Sequence, residues 1–170
     1  MKATGIIRRI DDLGRIVIPK EIRKKLRIYE GDNIEIFINN EEQIVLQKHS
    51  YINDIRTISQ KITDSIYALI KDTIVITDME NIVAVTGKYK KDLINKKISD
   101  DFINNIRTNS SDNYKIVDSF DISGYIKMSP ITVNGDICGS LIIISDNEIN
   151  KEKEQIMNVN VNFLNKYLED

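Results

Sequence analysis

The sequence predicts a small all-β domain with one short helix, followed by a larger α+β domain. Short apolar runs separated by turn residues occupy the first 48 residues, which is typical of strands. A helical pattern, with apolar residues every three or four positions, begins at Tyr51, and further strand and helix patterns follow it. The predicted domains are 1–49 and 50–170, with a linking amphipathic helix at 50–71 and the remainder of the second domain at 72–170.

The elements of the first domain follow from its turn residues. Gly14 can adopt positive φ, and Pro19 both ends an apolar run and presets φ for the first turn of a helix. The predicted elements are a strand at Thr4–Ile10, a turn at Asp11–Gly14, a strand at Arg15–Ile18, a helix at Pro19–Leu26 and a hairpin of strands at Asn33–Ile38 and Gln43–Gln47, with Ile34, Ile36 and Ile38 on one face. Because so short a domain buries little core and has no cysteine or metal cluster, we expect an obligate dimer.

Basic residues concentrate at the N-terminus. Between Met1 and Arg27 there are nine Lys or Arg residues against three acidic residues, a net charge of +6, whereas the whole chain carries −2. Since so many cations are too costly to bury, they must face solvent or a polyanion. This pattern by itself leaves two interpretations open: a nucleic-acid interface, or a solvated face of a charge-balanced dimer.

The N-terminal segment KATGIIRRIDDLGRIVIPKEIRKKLRIYEGDNIEIFINNEEQIVLQK resembles the DNA-binding domain of the AbrB family of transition-state regulators. The resemblance implies an N-terminal all-β swapped-hairpin barrel, dimeric, that binds double-stranded DNA as a sequence-specific regulator of transcription. It implies DNA contacts by Arg8, Arg15, Arg23 and Lys24, with Arg9 and Lys2 as weaker candidates. Lys24 stands where the family often has arginine, and a lysine lacks the planar fork that grips phosphate or guanine bidentately.

The second domain has the pattern of a mixed α+β fold. We expect one long amphipathic helix at each end of it, and Asn134-Gly135-Asp136 is a strong hairpin signal. The predicted elements are helices at Tyr51–Lys71, Lys90–Asn95, Ser99–Thr108 and Glu148–Leu168, and strands at Thr73–Thr77, Ile82–Val85, Tyr114–Val117, Tyr125–Val133 and Ile137–Ser145. Ser99 is a predicted N-cap. The last helix carries an apolar stripe of Ile149, Ile156, Val159, Phe163 and Tyr167.

This order of elements resembles a GAF domain, and an AbrB-type barrel joined to a GAF domain resembles regulators of sporulation genes. The resemblance implies that the long helices of two subunits pack together and couple two barrel dimers into a tetramer. The alternative is that each apolar stripe packs on its own sheet. The resemblance also implies a pocket for an unknown small-molecule effector, near Ile76, Val85, Phe102, Ile126, Met128 and Ile142. Since most of these residues are aliphatic, an ordinary core is the competing interpretation.

The sequence offers little for catalysis. It lacks a phosphate-cradling loop motif, contains one histidine, His49, and shows no ligand spacing for a metal, so we expect no enzyme, no cofactor and no metal site. Cys138 lies in an apolar run and is predicted as a core residue. Without a membrane-length apolar stretch or a signal peptide, the chain is expected in the cytoplasm, associated with the nucleoid. Two competing functions stay open: an antitoxin-type barrel protein, and a GAF signalling scaffold whose barrel only dimerises.

Overall fold

The computed structural model of the chain describes residues 5–108, 116–117 and 122–169. Lys2, Thr4 and the first half of the predicted Tyr114–Val117 strand lie outside the described residues. The chain divides into two compact units, Met1–His49 and Ser50–Asp170. None of the described helices combines the length and the apolar composition that a membrane crossing requires.

The N-terminal unit contains one short helix and one β-hairpin. Helix α1 spans Lys20–Lys25, and strands β1 (Ile34–Ile38) and β2 (Ile44–Lys48) pair antiparallel. The turn between the strands is held by Asn39, whose Oδ1 accepts the N–H groups of Glu41 at 3.0 Å and Gln43 at 2.9 Å. The predicted helix and the predicted hairpin are therefore confirmed, and no end of an element differs from its prediction by more than one residue.

The two strands predicted before the helix are absent from the described single chain. The strands predicted at Thr4–Ile10 and Arg15–Ile18 are not formed within one chain, because the described residues 5–10 and 15–18 belong to no strand. A strand needs a neighbour for its ladder of hydrogen bonds, and among the described residues β1 and β2 pair only with each other. The Asp11–Gly14 turn is present, since the N–H of Gly14 donates to the carbonyl of Asp11 at 3.0 Å.

The apolar side chains of the N-terminal unit are largely uncovered. Among the described residues, the buried hydrophobic core begins only at Ile52. Ile7, Val17 and Ile38 are 87%, 73% and 78% exposed. Ile34, Ile36 and Ile38 alternate along β1 as predicted, and the described residues leave Ile36 and Ile38 mostly exposed.

The C-terminal unit is built on a four-stranded antiparallel sheet. Its strands are β3 (Thr73–Asp78), β4 (Ile82–Thr86), β5 (Tyr125–Val133) and β6 (Asp136–Ser145), in the order β4-β3-β6-β5. Asn134 and Gly135 have φ angles of 50° and 88°, and two successive positive φ angles are what a two-residue hairpin turn of the favoured twist requires. The hairpin predicted at Asn134-Gly135-Asp136 is confirmed, since β5 and β6 pair antiparallel, and the predicted strands at Thr73–Thr77 and Ile82–Val85 also pair antiparallel.

Helices cover both faces of this sheet. On one face lie α2 (Tyr51–Asp54), α3 (Arg56–Ile70) and α6 (Lys151–Glu169); on the other lie α4 (Lys90–Leu93) and α5 (Asp100–Thr108). The Oγ of Ser99 accepts the N–H of Phe102 at 3.0 Å, which confirms the predicted N-cap. Strand alternation separates the two cores: Val75 points to the α5 side, whereas Ile74 and Ile76 point to the α3 and α6 side.

The predicted helix at Tyr51–Lys71 is two helices, interrupted at Ile55. Each part has its own anchor on the sheet. The Oγ of Ser50 donates to Asp78 Oδ2 at 2.7 Å just before α2, while Arg56 Nη1 at the start of α3 donates to the carbonyl of Val83 at 3.1 Å. Helix α3 ends at Ile70, and the next residue, Lys71, has a left-handed φ of 61°. The periodicity predicted one helix because the apolar spacing runs through the break.

The apolar stripe predicted on the last helix packs on the sheet only in part, because Ile149 and Ile156 lie against the core under α6 while the other three residues are exposed. Met157, Val161 and Leu164 form the buried face of α6, whereas Val159, Phe163 and Tyr167 are 68%, 50% and 42% exposed. The rings of Phe163 and Tyr167 stack with centroids 5.8 Å apart. Helix α6 therefore has two apolar faces, and the alternative in which the predicted stripe covers its own sheet is wrong for these three residues.

Gly139 on β6 has no room for a Cβ beside the backbone of β3, so its replacement by alanine should destabilise the C-terminal unit. A Cβ at this position would collide with the carbonyl oxygen of Thr77 and lie 3.1 Å from Cγ1 of Ile52. We expect Gly139→Ala to lower the free energy of unfolding by about 3 kcal/mol, since a backbone atom cannot move aside cheaply. Urea unfolding followed by circular dichroism measures this.

The matched control is Gly135→Ala in the turn between β5 and β6. Its Cβ meets open space, but its φ of 88° is left-handed, so the expected cost is only about 1 kcal/mol. Equal losses for the two variants would contradict the steric explanation.

Candidate nucleic-acid interface

Arg15 is held by the carboxylate of Asp11. Arg15 Nε donates to Asp11 Oδ2 at 2.7 Å, and the backbone N–H of Arg15 donates to Asp11 Oδ1 at 2.7 Å. Both hydrogen bonds from Arg15 lower the pKa of Asp11 below its usual range, and the bond from the backbone N–H has the larger effect. The Arg15 side chain is still 70% exposed. Within the described part of the chain its two terminal NH₂ groups have no hydrogen-bond partner, so they are available to an anion.

Arg23 is also held at Nε, with its terminal NH₂ groups left exposed. It lies on α1, and its Nε donates to the carbonyl of Ile18 at 3.2 Å. Lys24 and Lys25 follow it in the last turn, while Glu21 lies in the first turn, an arrangement that complements the helix dipole. Pro19, the residue before the helix, is buried. Arg23, Lys24 and Lys25 therefore lie together on an exposed turn of a helix that follows the buried Pro19.

Arg8 and Arg9 are exposed and precede the Asp11–Gly14 turn. Arg8 Nη1 donates to the carbonyl of Ile7 at 3.1 Å. For Arg9 no hydrogen bond or ion pair is recorded with any other described residue. The structure thus leaves both arginines on the surface, and among the described residues no contact joins the guanidinium groups of Arg8, Arg15 and Arg23 directly.

Lys48 differs from these exposed arginines, because its charge is satisfied inside the N-terminal unit. Lys48 Nζ lies 3.0 Å from Asp32 Oδ2, donates to the carbonyl of Arg27 at 3.1 Å and stands 5.7 Å from the ring centroid of Tyr29. Its side chain is only 15% exposed. Lys48 therefore ties the hairpin to the chain that leaves α1, and it is distinct from the exposed cations of the candidate interface.

The predicted effector pocket is divided by the sheet. Val85, Phe102, Met128 and Ile142 are buried in one cluster on the α5 side, and Ile126 packs against it. Ile76 belongs to the cluster under α3 and α6, so its assignment to the same pocket was wrong: Val75, and not Ile76, points to the α5 side. The other five residues lie together as core, and an effector site there stays a prediction.

Cys138 is a free, partly buried cysteine. The Sγ of Cys138 donates to the carbonyl of Ile131 at 3.3 Å, and burial raises the pKa of this thiol to about 12. Within residues 5–108, 116–117 and 122–169, no three His, Cys, Asp or Glu side chains lie close enough to hold a metal ion. The exposed basic surface of the N-terminal unit is therefore the candidate site that the described residues support.

Asp11 is the residue of this site that sequence reasoning missed. From the sequence it is predicted only as a turn residue. The available signal was an aspartate four residues before an arginine, across Gly14, whose φ of 77° folds the chain back on itself. Its pairing with Arg15 was recognisable only once the turn geometry was known.

The C-terminal unit matches a family of known proteins. A family model described as "Stage V sporulation protein T C-terminal, transcription factor" matches residues 54–169. Stage V sporulation protein T of Bacillus subtilis is 38% identical over 162 residues, which cover 91% of this chain and 90% of that protein. The chain belongs to the stage V sporulation protein T family. This membership confirms the prediction of a transcription regulator from a sporulation family.

The N-terminal unit has its own relatives. The transition state regulatory protein AbrB of Bacillus subtilis is 51% identical over 49 residues, which cover 29% of this chain and 50% of AbrB. A solution structure of the N-terminal DNA recognition domain of the Bacillus subtilis regulator AbrB is 50% identical, covers 29% of this chain and 92% of that domain, and has a TM-score of 0.26. A family model described as "Antidote-toxin recognition MazE, bacterial antitoxin" matches residues 7–54. The predicted relation to AbrB is thus confirmed at the level of sequence.

Replacing Lys24 by arginine should strengthen DNA binding by this surface. Lys24→Arg adds a planar fork of donors at an exposed position of α1, and one good bidentate contact corresponds to about a tenfold gain in affinity. Because the charge does not change, the dependence of affinity on salt should stay the same. Fluorescence anisotropy on a promoter fragment measures both quantities.

Lys20→Arg, an exposed position one turn earlier on α1, is the matched control and should leave affinity nearly unchanged. Equal gains from both variants would show that Lys24 has no special place at the interface.

Proposed function

We propose that the chain regulates sporulation genes by binding specific double-stranded DNA sequences through its N-terminal unit. Arg8, Arg15 and Arg23 make the main contacts in this proposal, and Lys24, Arg9 and Lys2 add to them. The observation that carries it is the hydrogen bonding of Arg15 and Arg23: each donates from Nε to an acceptor in its own chain and leaves its terminal NH₂ groups exposed. A guanidinium fixed at Nε still offers its two terminal NH₂ groups to phosphate or guanine.

The electrostatics of the chain support this proposal despite a net charge of −2. The stretch from Met1 to Arg27 carries +6, and fields between exposed charges fall off over about 10 Å at ordinary salt concentration. The acidic remainder of the chain therefore does not cancel the local attraction for DNA. Phosphate contacts would supply most of the affinity, and base edges together with DNA deformability would supply the sequence preference.

The same proposal includes a dimeric swapped-hairpin barrel for the N-terminal unit. Its support is the exposure of apolar residues such as Ile7, Val17 and Ile38, and the absence of ladder partners for residues 5–10 and 15–18 within the described chain. A second copy can supply both the missing strands and the missing cover. Two-fold symmetry would also double the basic surface along the DNA.

We extend the proposal to a tetramer joined through GAF-like C-terminal units. Its support is the exposed stripe of Val159, Phe163 and Tyr167 on α6, together with Leu69 on α3, which is 72% exposed. Apolar side chains that recur every four positions on one helix suit packing against another helix. Coupling two barrels in this way would let one molecule bind two adjacent DNA sites with increased avidity.

Removal of one proposed contact should weaken DNA binding in a salt-dependent way. We expect Arg23→Ala to lower affinity for a promoter fragment about tenfold and to reduce the slope of log affinity against log salt by about one. Fluorescence anisotropy over a range of salt concentrations measures this. Lys151→Ala, which removes an exposed cation from the C-terminal unit, is the control and should change neither quantity. Binding that is independent of salt would refute the proposal.

A charge on the exposed face of α6 should dissociate the tetramer into dimers. We expect Phe163→Glu to halve the mass measured by light scattering, because burying an unpaired carboxylate in an apolar interface is costly. Asn158→Glu introduces the same charge on an exposed position of the same helix, but away from the stripe, and should leave the mass unchanged. A wild-type protein that is already dimeric would exclude this part of the proposal.

A second candidate function is that of an antitoxin, which the match of residues 7–54 to the antitoxin family model favours. Against it stands the match of residues 54–169 to a transcription factor family. An antitoxin would neutralise a small toxic protein in co-expression, with no requirement for Arg15 or Arg23. Promoter binding that depends on these arginines, without such neutralisation, would decide for the regulator.

A further inference from the structure

We propose that Asp11 is a positioning residue for DNA recognition: it orients Arg15 so that the terminal NH₂ groups of the guanidinium meet the DNA. This inference rests on the proposed function and assigns a role to a side chain that would not itself bind DNA. It concerns a carboxylate inside the most basic part of the chain, where a negative charge needs a physical reason.

The two oxygens of the carboxylate have separate tasks. Asp11 Oδ1 accepts the backbone N–H groups of Leu13 at 3.1 Å and Arg15 at 2.7 Å, and so it shapes the turn. Asp11 Oδ2 accepts Nε of Arg15 at 2.7 Å, and so it orients the side chain. The backbone N–H of Asp11 in turn donates to the carbonyl of Arg15 at 3.1 Å. The backbone and side chain of Arg15 are therefore fixed by one residue.

The contact with Asp11 leaves the terminal NH₂ groups of Arg15 available to DNA. Nε is occupied, and within the described chain the two terminal NH₂ groups have no partner. These two groups form an edge that can bind phosphate or the acceptor edge of guanine. Orienting a long side chain before binding also reduces the rotamer entropy that binding would otherwise cost.

Simple electrostatics and the positioning role predict opposite effects when Asp11 is neutralised. A carboxylate near phosphates repels them, so removal of its charge alone should raise affinity. Loss of the contact to Nε should instead lower affinity. Asp11→Asn separates the two effects, because an amide oxygen can still accept the two backbone N–H groups, while the amide NH₂ cannot accept from Nε.

Asp12 provides a matched control. It is the next residue, it is exposed, and it has no hydrogen bond or ion pair with any other described residue. Asp12→Asn makes the same change in net charge. We expect Asp12→Asn to raise affinity for a promoter fragment, and Asp11→Asn to lower it about threefold to tenfold.

A double variant isolates the coupling between the two side chains. In an Arg15→Ala background there is no guanidinium to orient, so Asp11→Asn should no longer lower affinity and should act like Asp12→Asn. Circular dichroism and the oligomeric mass of each full-length variant establish that the turn and the assembly are intact.

Nuclear magnetic resonance of the wild-type chain tests the contact without any substitution. The Nε–H proton of Arg15 should exchange with water more slowly than that of Arg9, and it should stay protected when DNA is added. Exchange as fast as that of Arg9 would overturn the inference even if Asp11→Asn failed to fold.

The outcomes separate the inference from the proposed function. If Arg15→Ala weakens DNA binding but Asp11→Asn strengthens it as Asp12→Asn does, the positioning role is wrong and the proposed function stands. If the wild-type chain binds no DNA, or Arg15→Ala binds as well as wild type, the DNA contact assigned to Arg15 fails and the positioning role fails with it.

Discussion

Most apolar side chains among the described residues of the N-terminal unit are half-buried or exposed in a single chain. Residues such as Ile7, Val17 and Ile38 remain on the surface, and the buried hydrophobic core of the described residues begins only at Ile52. A unit of this size with one hairpin and one short helix encloses too little volume to bury them. Its stability therefore has to come from another surface, and a second copy of the same segment offers matching strands. The proposed dimer follows from this constraint before any consideration of DNA.

The charges of the N-terminal unit are divided between internal and external use. Lys48 is largely buried against Asp32 and the carbonyl of Arg27, where it connects the hairpin to the end of α1. Arg15 and Arg23 are held only at Nε and keep their terminal NH₂ groups exposed. A positive patch whose side chains are already oriented loses less entropy on binding than a patch of free lysines. The same contacts thus stabilise the local turns and prepare the interface.

Local sequence signals predicted much of the fold. Asn134-Gly135, Ser99 and Pro19 each predicted a turn, a cap or a helix start that the structure contains, because their effect depends on neighbouring backbone atoms. Predictions that required knowledge of the surface a residue packs against were less successful. The strands at 5–10 and 15–18 need a neighbouring strand. Both faces of α6 are apolar, so its sequence did not show that Met157, Val161 and Leu164 form the face that packs on the sheet. The side of the sheet to which Ile76 points likewise depends on how the strand is placed in the fold.

The sequence by itself determined where charge and turns lie: the net charge of +6 between Met1 and Arg27, the glycine at position 14 and the arginines around it. These properties belong to single residues and their neighbours in the chain. Only the tertiary structure decided which side chains meet, because the left-handed φ of Gly14 brings Arg15 back to Asp11. It likewise decided that Phe163 stays exposed while Leu164 is buried. Contacts between residues depend on how the chain folds back, and periodicity alone carries no information about that.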